Sequence, residues 1–333
     1  MSYILVVGGA GYIGSHMVLA LGDAGYSPLV FDNLSRGFAD AVGTAPLVTG
    51  DLASPQDLQA CFGSYDIALV MHFSALAYVG ESMQTPLDYY HNNVGGTVNL
   101  LAAMRAAGVD KFVFSSTCAT YGVPEVVPIT ESAPQRPINP YGRSKLMVEQ
   151  MLGDCARAYG LESISLRYFN AAGADPGLRA GERHDPETHL IPLVLEEALR
   201  LRNGGDPADT QLQVFGTDFD TRDGTCIRDY IHVADLCRAH VLATERLLSG
   251  GPARGAQYYN LANGRGFSVR EIISACRLVT GQPITYREMP RRAGDPAELV
   301  GDARLASEVL GWRPRFVELE EIIQTAWEWL LGR

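Results

Sequence analysis

The chain has 333 residues, 47% hydrophobic and 20% charged, with 27 basic against 38 acidic side chains and a formal charge of −11. Such a chain is long enough for one large or two ordinary globular domains with a sizeable core. The acidic balance, with no basic run longer than a pair, argues against a nucleic-acid partner, and no apolar run approaches the roughly 18 residues of a membrane span.

Ile4 to Val7 is a short branched apolar run, predicted as a strand. It leads into Gly8-Gly9-Ala10-Gly11-Tyr12-Ile13-Gly14, and a helical pattern follows to about Ala24. A second strand, Ser27 to Phe31, ends at Asp32. Further strands are predicted at Pro46–Val48, Ile67–Phe73, Lys111–Ser115 and Ser163–Tyr168, with helices at about Pro55–Cys61, Asn93–Ala107 and Tyr141–Tyr159. Strand and helix alternating in this way predict an α/β fold, a Rossmann-like doubly wound parallel sheet with helices on both faces. After Asn170 the texture changes. Residues 171–189 lack periodicity, and a long loop of that kind is uncommon unless functional. Mixed elements follow: helices near Ile191–Arg202, Ala234–Leu248, Val269–Val279 and Glu318–Leu331, and a strand at Gln211–Phe215. Residues 1–170 are therefore expected to form the nucleotide-binding domain and 171–333 a smaller mixed α/β domain, with segments exchanged between them.

Gly9-x-Gly11-x-x-Gly14 lies between a strand and a helix, the context a dinucleotide fingerprint requires. Glycines allow a tight turn and close approach of a pyrophosphate to the helix N-terminus. Asp32, 18 residues after Gly14, suits an adenosine ribose 2′-hydroxyl and would repel a 2′-phosphate, which favours NAD over NADP. Arg36 nearby is read as a loop charge. Asp51 either bonds the adenine or caps the helix that starts near Ser54.

Strand Lys111–Ser115 delivers Ser116 and Thr117 to the carboxyl edge of the sheet, where open α/β folds bind ligands. Tyr141 and Lys145 are four residues apart and share a helix face. An ammonium beside a phenol favours the phenolate, so Lys145 is expected to lower the Tyr141 pKa and make it a base. The six cysteines (Cys61, Cys118, Cys155, Cys226, Cys237 and Cys276) show neither C-x-x-C nor zinc spacing with histidine. They are read as reduced thiols of a cytoplasmic protein, the N-terminus having no cleavable apolar segment. His184 and His189 flank a loop at five-residue spacing without an apparent third ligand, so no metal is expected.

The segments GGAGYIGSH, FDNLS, HFSALAYVGES, YYHNNVGGT, FVFSSTCATYG, PYGRSKLMVEQ, LRYFNAAGA, GTCIRDYIHVADL, YNLANG and LGWRP occur in this order. In them the chain resembles the extended short-chain dehydrogenases/reductases, and within that family the UDP-glucose/UDP-galactose 4-epimerase group. The resemblance implies NAD held by Gly8, Gly11, Tyr12, Ile13, Gly14, Asp32, Asn33, Asp51, Leu52, Phe73, Ala75, Asn92, Ser115, Tyr141, Lys145 and Phe169. It implies catalysis by Tyr141, Lys145 and Thr117. It also implies a UDP-sugar contacted by Thr117, Tyr141, Asn170, His189, Leu190, Phe215, Arg228, Arg292, Asp295 and Leu299. Hydride would pass to NAD, leave a 4-keto sugar to turn within the pocket, and return to its other face. A homodimer through the helices at 93–107 and 141–159 is implied as well, with Leu100, Met104, Met147 and Met151 as apolar candidates. Two departures stand out. Thr117 replaces the usual serine but keeps the hydroxyl, and Ala77 stands where relatives often place a lysine against NAD. Leu299 falls where side-chain bulk selects against N-acetylated sugars, so UDP-glucose and UDP-galactose are expected. UDP-xylose/UDP-arabinose and UDP-N-acetylhexosamines are the alternative substrates, and a non-catalytic NAD-binding regulator is the rival from another class. Dehydratase relatives place Asp-Glu after the threonine; Cys118 and Ala119 here carry no carboxylate.

Overall fold

The computed structural model describes residues 2–250, 255–292 and 294–333. The first half runs β1 (Tyr3–Val7), α1 (Tyr12–Asp23), β2 (Pro28–Asp32), β3 (Leu47–Thr49), α2 (Pro55–Ser64), β4 (Ile67–His72), α3 (Val79–Gln84), α4 (Pro86–Tyr89), α5 (Gly96–Ala107), β5 (Lys111–Thr117), α6 (Pro140–Tyr159), β6 (Glu162–Tyr168) and β7 (Asn170–Ala172). The second runs α7 (Leu190–Arg202), β8 (Gln213–Phe215), β9 (Ile227–His232), α8 (Val233–Leu248), β10 (Ala256–Leu261), β11 (Gly266–Ser268), α9 (Val269–Thr280), β12 (Arg287–Met289), β13 (Glu298–Leu299), α10 (Arg304–Leu310) and α11 (Leu319–Leu331).

Seven strands form one sheet in the order β10-β6-β5-β4-β1-β2-β3, with every neighbouring pair parallel. Both faces are covered, and the two-residue period of a strand decides which side chain goes where. Ile4 and Val6 pack on the face covered by α1 and α8. Leu5 and Val7 pack on the opposite face with Leu58, Leu100 and Val148, which come from α2, α5 and α6. This accounts for the unbroken apolar run of β1. The seventh strand, β10, comes from late in the chain and pairs with β6 from Ala256↔Ser163 to Leu261↔Tyr168. Sequence reading missed this strand; its signal is the aromatic pair Tyr258-Tyr259.

A smaller sheet joins β11, β9 and β13, with β7 also on β9, and β8 pairs with β12. Helices α7, α9 and α11 close a separate apolar core around Val194, Ile272 and Ile322. Helix α9 opens with a reciprocal Ser268/Glu271 capping box, which satisfies two otherwise unpaired N–H groups.

Helix α6 starts where its chemistry requires. The Asn139 side chain accepts from Gly142 N at 2.8 Å and Pro140 occupies the first turn, which fixes the register of every residue that follows. The 93–107 helix differs from expectation: Tyr90–Gly95 is a wide π turn and α5 begins at Gly96. Among the described residues, no helix is long and apolar enough to cross a membrane.

Candidate active site

Strand β1 ends at the glycine loop, beside β4 on one side and β2 on the other. The two flanking connections leave in opposite directions there, opening the crevice in which doubly wound folds bind ligands. A Cβ on Gly14 would lie 2.0 Å from the Gly8 carbonyl oxygen, and one on Gly8, at φ +81°, would lie 2.5 Å from Ser74 N. Neither backbone contact can yield, so both positions require glycine. Helix α1 follows with no side-chain cap and no acidic residue in its first turn. Its free N–H groups and dipole are therefore left for an anion.

Asp32 is 9% exposed. Its carboxylate accepts from Ala10 N at 3.0 Å and from Leu34 N at 2.8 Å. Each oxygen keeps a lone pair for a ribose hydroxyl. Arg36 is ion-paired with Glu81 at 2.9 Å, so it is not a free cation awaiting a 2′-phosphate. Asp51 does not cap α2; Ser54 does, accepting from Asp57 N. Asp51 instead accepts from Asn33 Nδ2 at 2.9 Å and Ala53 N at 2.7 Å, beside buried Leu52, whose carbonyl accepts from Asn99. The Asn92 amide donates to Asn93 within the π turn, a distortion often found at functional sites. Phe73 and Ala75 follow β4, with the Phe73 ring 4.9 Å from that of His240. The Tyr12 hydroxyl donates to the Gly173 carbonyl at 2.7 Å, and the Ile13 carbonyl receives Cys237 Sγ. The glycines, the uncapped helix and the Asp32 carboxylate fit a dinucleotide.

Strand alternation separates three consecutive hydroxyls. Ser115 meets the Tyr168 hydroxyl, and Thr117, on the same side of β5, accepts from Ala119 N at 3.1 Å. Ser116 turns the other way and donates to Glu149 Oε1 at 2.5 Å. The expectation of Ser116 and Thr117 together at the reacting edge is thus corrected: Ser116 belongs to a buried ion pair in which Arg167 grips both Glu149 oxygens at 2.9 and 2.6 Å. Sequence reading missed Glu149, although its signal was present. It lies one turn beyond Lys145 on the face that already carries Tyr141.

Lys145 is 3% exposed. Its ammonium donates to the Ser115 carbonyl at 2.7 Å and sits 6.0 Å from the Tyr141 ring centroid. Burial pulls it down to about 7, with Glu149 opposing. Burial pushes the Tyr141 phenol up to about 12, with the Thr117 bond opposing. The expectation that the ammonium lowers the phenol is therefore not met in the ligand-free protein. Loss of water penalises both charged forms, and an ammonium that holds its proton only up to about neutrality lends its neighbour little field.

On the facing domain, β9 and β13 set Arg228 opposite Leu299. Arg228 Nη2 lies 3.5 Å from Asp295 Oδ1. The Arg292 guanidinium stacks over the Phe215 ring at 3.9 Å. Asn170 opens β7 and pairs with Tyr230. Phe169, expected against NAD, packs in an apolar cluster with Cys118, Tyr121 and Leu299. His189 precedes α7 and Leu190 begins it; the His189 ring points to Glu187, Nδ1 to Oε1, at 3.0 Å.

This combination defines a nucleotide-binding α/β enzyme built around a half-buried tyrosine and a buried lysine. Residues 4–262 match the NAD dependent epimerase/dehydratase family, and the chain belongs to it. It is 50% identical to the UDP-glucose 4-epimerase of Halalkalibacterium halodurans over 98% of this chain and 95% of that one. A crystal structure of a UDP-glucose 4-epimerase aligns with a TM-score of 0.93 at 48% identity, covering 100% of this chain and 98% of that one. The UDP-glucose 4-epimerase from Brucella ovis, in complex with NAD, aligns at 0.91 and 50% identity, covering 98% of each.

The buried ammonium makes stability depend on pH. Lys145 binds its proton up to about pH 7 when folded and up to roughly 10.4 when unfolded. The unfolded state thus holds more protons between those values, and stability rises with pH across them. Urea unfolding of ligand-free protein should show the advantage of Lys145→Met over wild type shrinking by about 1.4 kcal/mol per pH unit from about pH 7 to pH 9. An advantage independent of pH would show that the ammonium is not desolvated.

Proposed function

We propose that the protein interconverts UDP-glucose and UDP-galactose by inverting C4 of the sugar through a transient 4-keto sugar. The supporting observation is that the Lys145 ammonium, 6.0 Å from the Tyr141 ring centroid, donates to the Ser115 carbonyl at the carboxyl end of β5. That end lies at the same sheet edge as a loop that only glycine can form.

Bound NAD supplies a reversible hydride acceptor, so the cycle needs no second cofactor. Gly8, Gly11, Tyr12, Ile13 and Gly14 form its pyrophosphate cradle, and Asp32, Asn33, Asp51 and Leu52 surround the adenosine. Phe73, Ala75, Asn92, Ser115, Lys145 and Phe169 border the rest. Arg228 and Arg292 take the diphosphate, since a planar guanidinium donates fork-like to two phosphate oxygens. Phe215 offers a face to uracil, and Asp295 accepts from the uridine ribose. Asn170, His189 and Leu190 border the nucleotide-sugar, and Leu299 limits the space at C2. Tyr141 takes the proton of the sugar 4-hydroxyl and later returns it. Thr117 bonds the reacting oxygen and relays the proton. Lys145, held at the Ser115 carbonyl, stabilises the phenolate form of Tyr141 that accepts this proton. UDP stays anchored while the keto sugar turns its other face. Residues 1–170 carry the cofactor and 171–333 the sugar nucleotide, with β10 exchanged between them, in a cytoplasmic enzyme.

The experiment begins with denaturation of purified protein, which should release one NAD per chain. Native protein mixed with UDP-galactose and no added nucleotide should form UDP-glucose. Tyr141→Phe should lower kcat by about 10²–10⁴-fold. UDP-N-acetylglucosamine should turn over poorly. Full activity of Tyr141→Phe would overturn the assigned base, and equal turnover of the N-acetylated sugar would overturn the hexose assignment.

A homodimer is also proposed, with a revised face. Leu100 and Met104 are 0% and 1% exposed, and Met151 packs on the same core, so these three do not supply the interface. Met83, Leu87, Val98 and Met147, on the adjoining helices α3, α4, α5 and α6, are 52%, 70%, 48% and 42% exposed. Light scattering should return the mass of two chains, and Val98→Glu with Met147→Glu should halve it; a wild-type mass of one chain would refute the dimer.

A further inference from the structure

We propose that Glu182, His184, Glu187 and His189 form a structural site for a divalent metal ion, with zinc the best match. Each residue turns one ligand atom inward, and the four atoms lie within 4.8 Å of one another. His184 Nδ1 lies 3.4 Å from Glu182 Oε1 and 3.2 Å from Glu187 Oε2. His189 Nδ1 lies 3.0 Å from Glu182 Oε1 and 3.0 Å from Glu187 Oε1. A tetrahedral zinc ion with bonds of about 2.0–2.2 Å separates neighbouring ligand atoms by roughly 3.3–3.6 Å. The four histidine–glutamate separations, 3.0–3.4 Å, are close to that edge, and the set as a whole spans up to 4.8 Å.

Hydrogen bonding alone does not satisfy the group. An imidazole nitrogen carries at most one proton, yet each Nδ1 here faces two carboxylate oxygens. The Glu182 side chain is 7% exposed, and its inward oxygen has His189 Nδ1 at 3.0 Å as its nearest partner without a well-aligned hydrogen bond. A buried acceptor left in this state is destabilising, and more so when charged. One doubly charged cation would satisfy all four ligands and neutralise both carboxylates, with the imidazoles unprotonated. Four protein ligands make a closed site, the structural rather than the catalytic type. Paired imidazole and carboxylate donors, without thiolate, suit zinc and its neighbours.

The surroundings indicate what the ion would hold. The Tyr12 and Tyr78 rings stand edge-on to His184 at 6.0 and 6.2 Å, and the Tyr78 hydroxyl donates to the Pro186 carbonyl. Arg183 leaves the cluster and forks onto Asp40 at 2.6 and 3.0 Å. His189 is the residue from which α7 starts. An ion here ties the 182–189 loop to the helix after the glycine loop and to the start of α7. A small cavity of about 30 Å³, lined in part by Glu182, His184, Glu187 and Trp329, borders the cluster. Five-residue spacing of two histidines conceals this site in the sequence, because the carboxylates come from between and before them.

The test uses tag-free full-length protein, stripped by chelator and dialysed against zinc. One zinc per chain should remain after gel filtration and should raise the melting temperature. Glu182→Gln and His184→Gln should each weaken zinc binding at least tenfold and abolish that rise. Cobalt substituted into unmutated protein should give the intense visible bands of a tetrahedral site, a readout that does not depend on the variants folding. Uptake well below one ion per chain, unchanged affinity in both variants, or a weak octahedral cobalt spectrum would overturn the proposal.

Discussion

The active site depends on taking one ammonium out of water. Lys145 lies under the sheet edge with a backbone carbonyl as its nearest partner, and burial holds it at about 7. The same dry surroundings hold the Tyr141 phenol at about 12. Neither group is poised by the other alone. Both are desolvated, so any charge brought to the pocket is felt strongly.

The fold supplies the rigidity this requires. A capped helix start sets Tyr141, Lys145 and Glu149 on one face of α6, and Glu149 locks that face to β6 through Arg167. Strand β5 then offers alternate hydroxyls to opposite sides, with Ser116 given to the ion pair. Strand β10, which comes from beyond the substrate-side elements, completes the sheet next to β6. The early and late halves of the chain are thereby joined in one sheet.

The parallel sheet was legible because buried strands read as apolar runs, glycine turns are punctuated, and helix periods are long. The glycine loop and Asp32 were legible because spacing alone carries their geometry. The direction of the Tyr141 shift was not. Spacing shows that Lys145 is near but not how much water either group loses, and burial outweighs proximity here. Ser116 was misplaced for a related reason, since which face of β5 is wet depends on α6 packing against it. Leu100 and Met104 read equally well as core or interface, and only the packed structure puts them inside. Glu182 was silent because a lone glutamate in an aperiodic loop carries no pattern until the loop folds back.

The most direct measurement is an ultraviolet ionisation difference spectrum between ligand-free wild type and Tyr141→Phe. At pH 10, where an ordinary tyrosine is about half ionised, a phenol held at about 12 contributes almost no phenolate, and the two spectra should coincide apart from one neutral ring. A half-ionised Tyr141 at or below that pH would contradict the account, because it would mean that the lysine charge, and not the loss of water, governs the site.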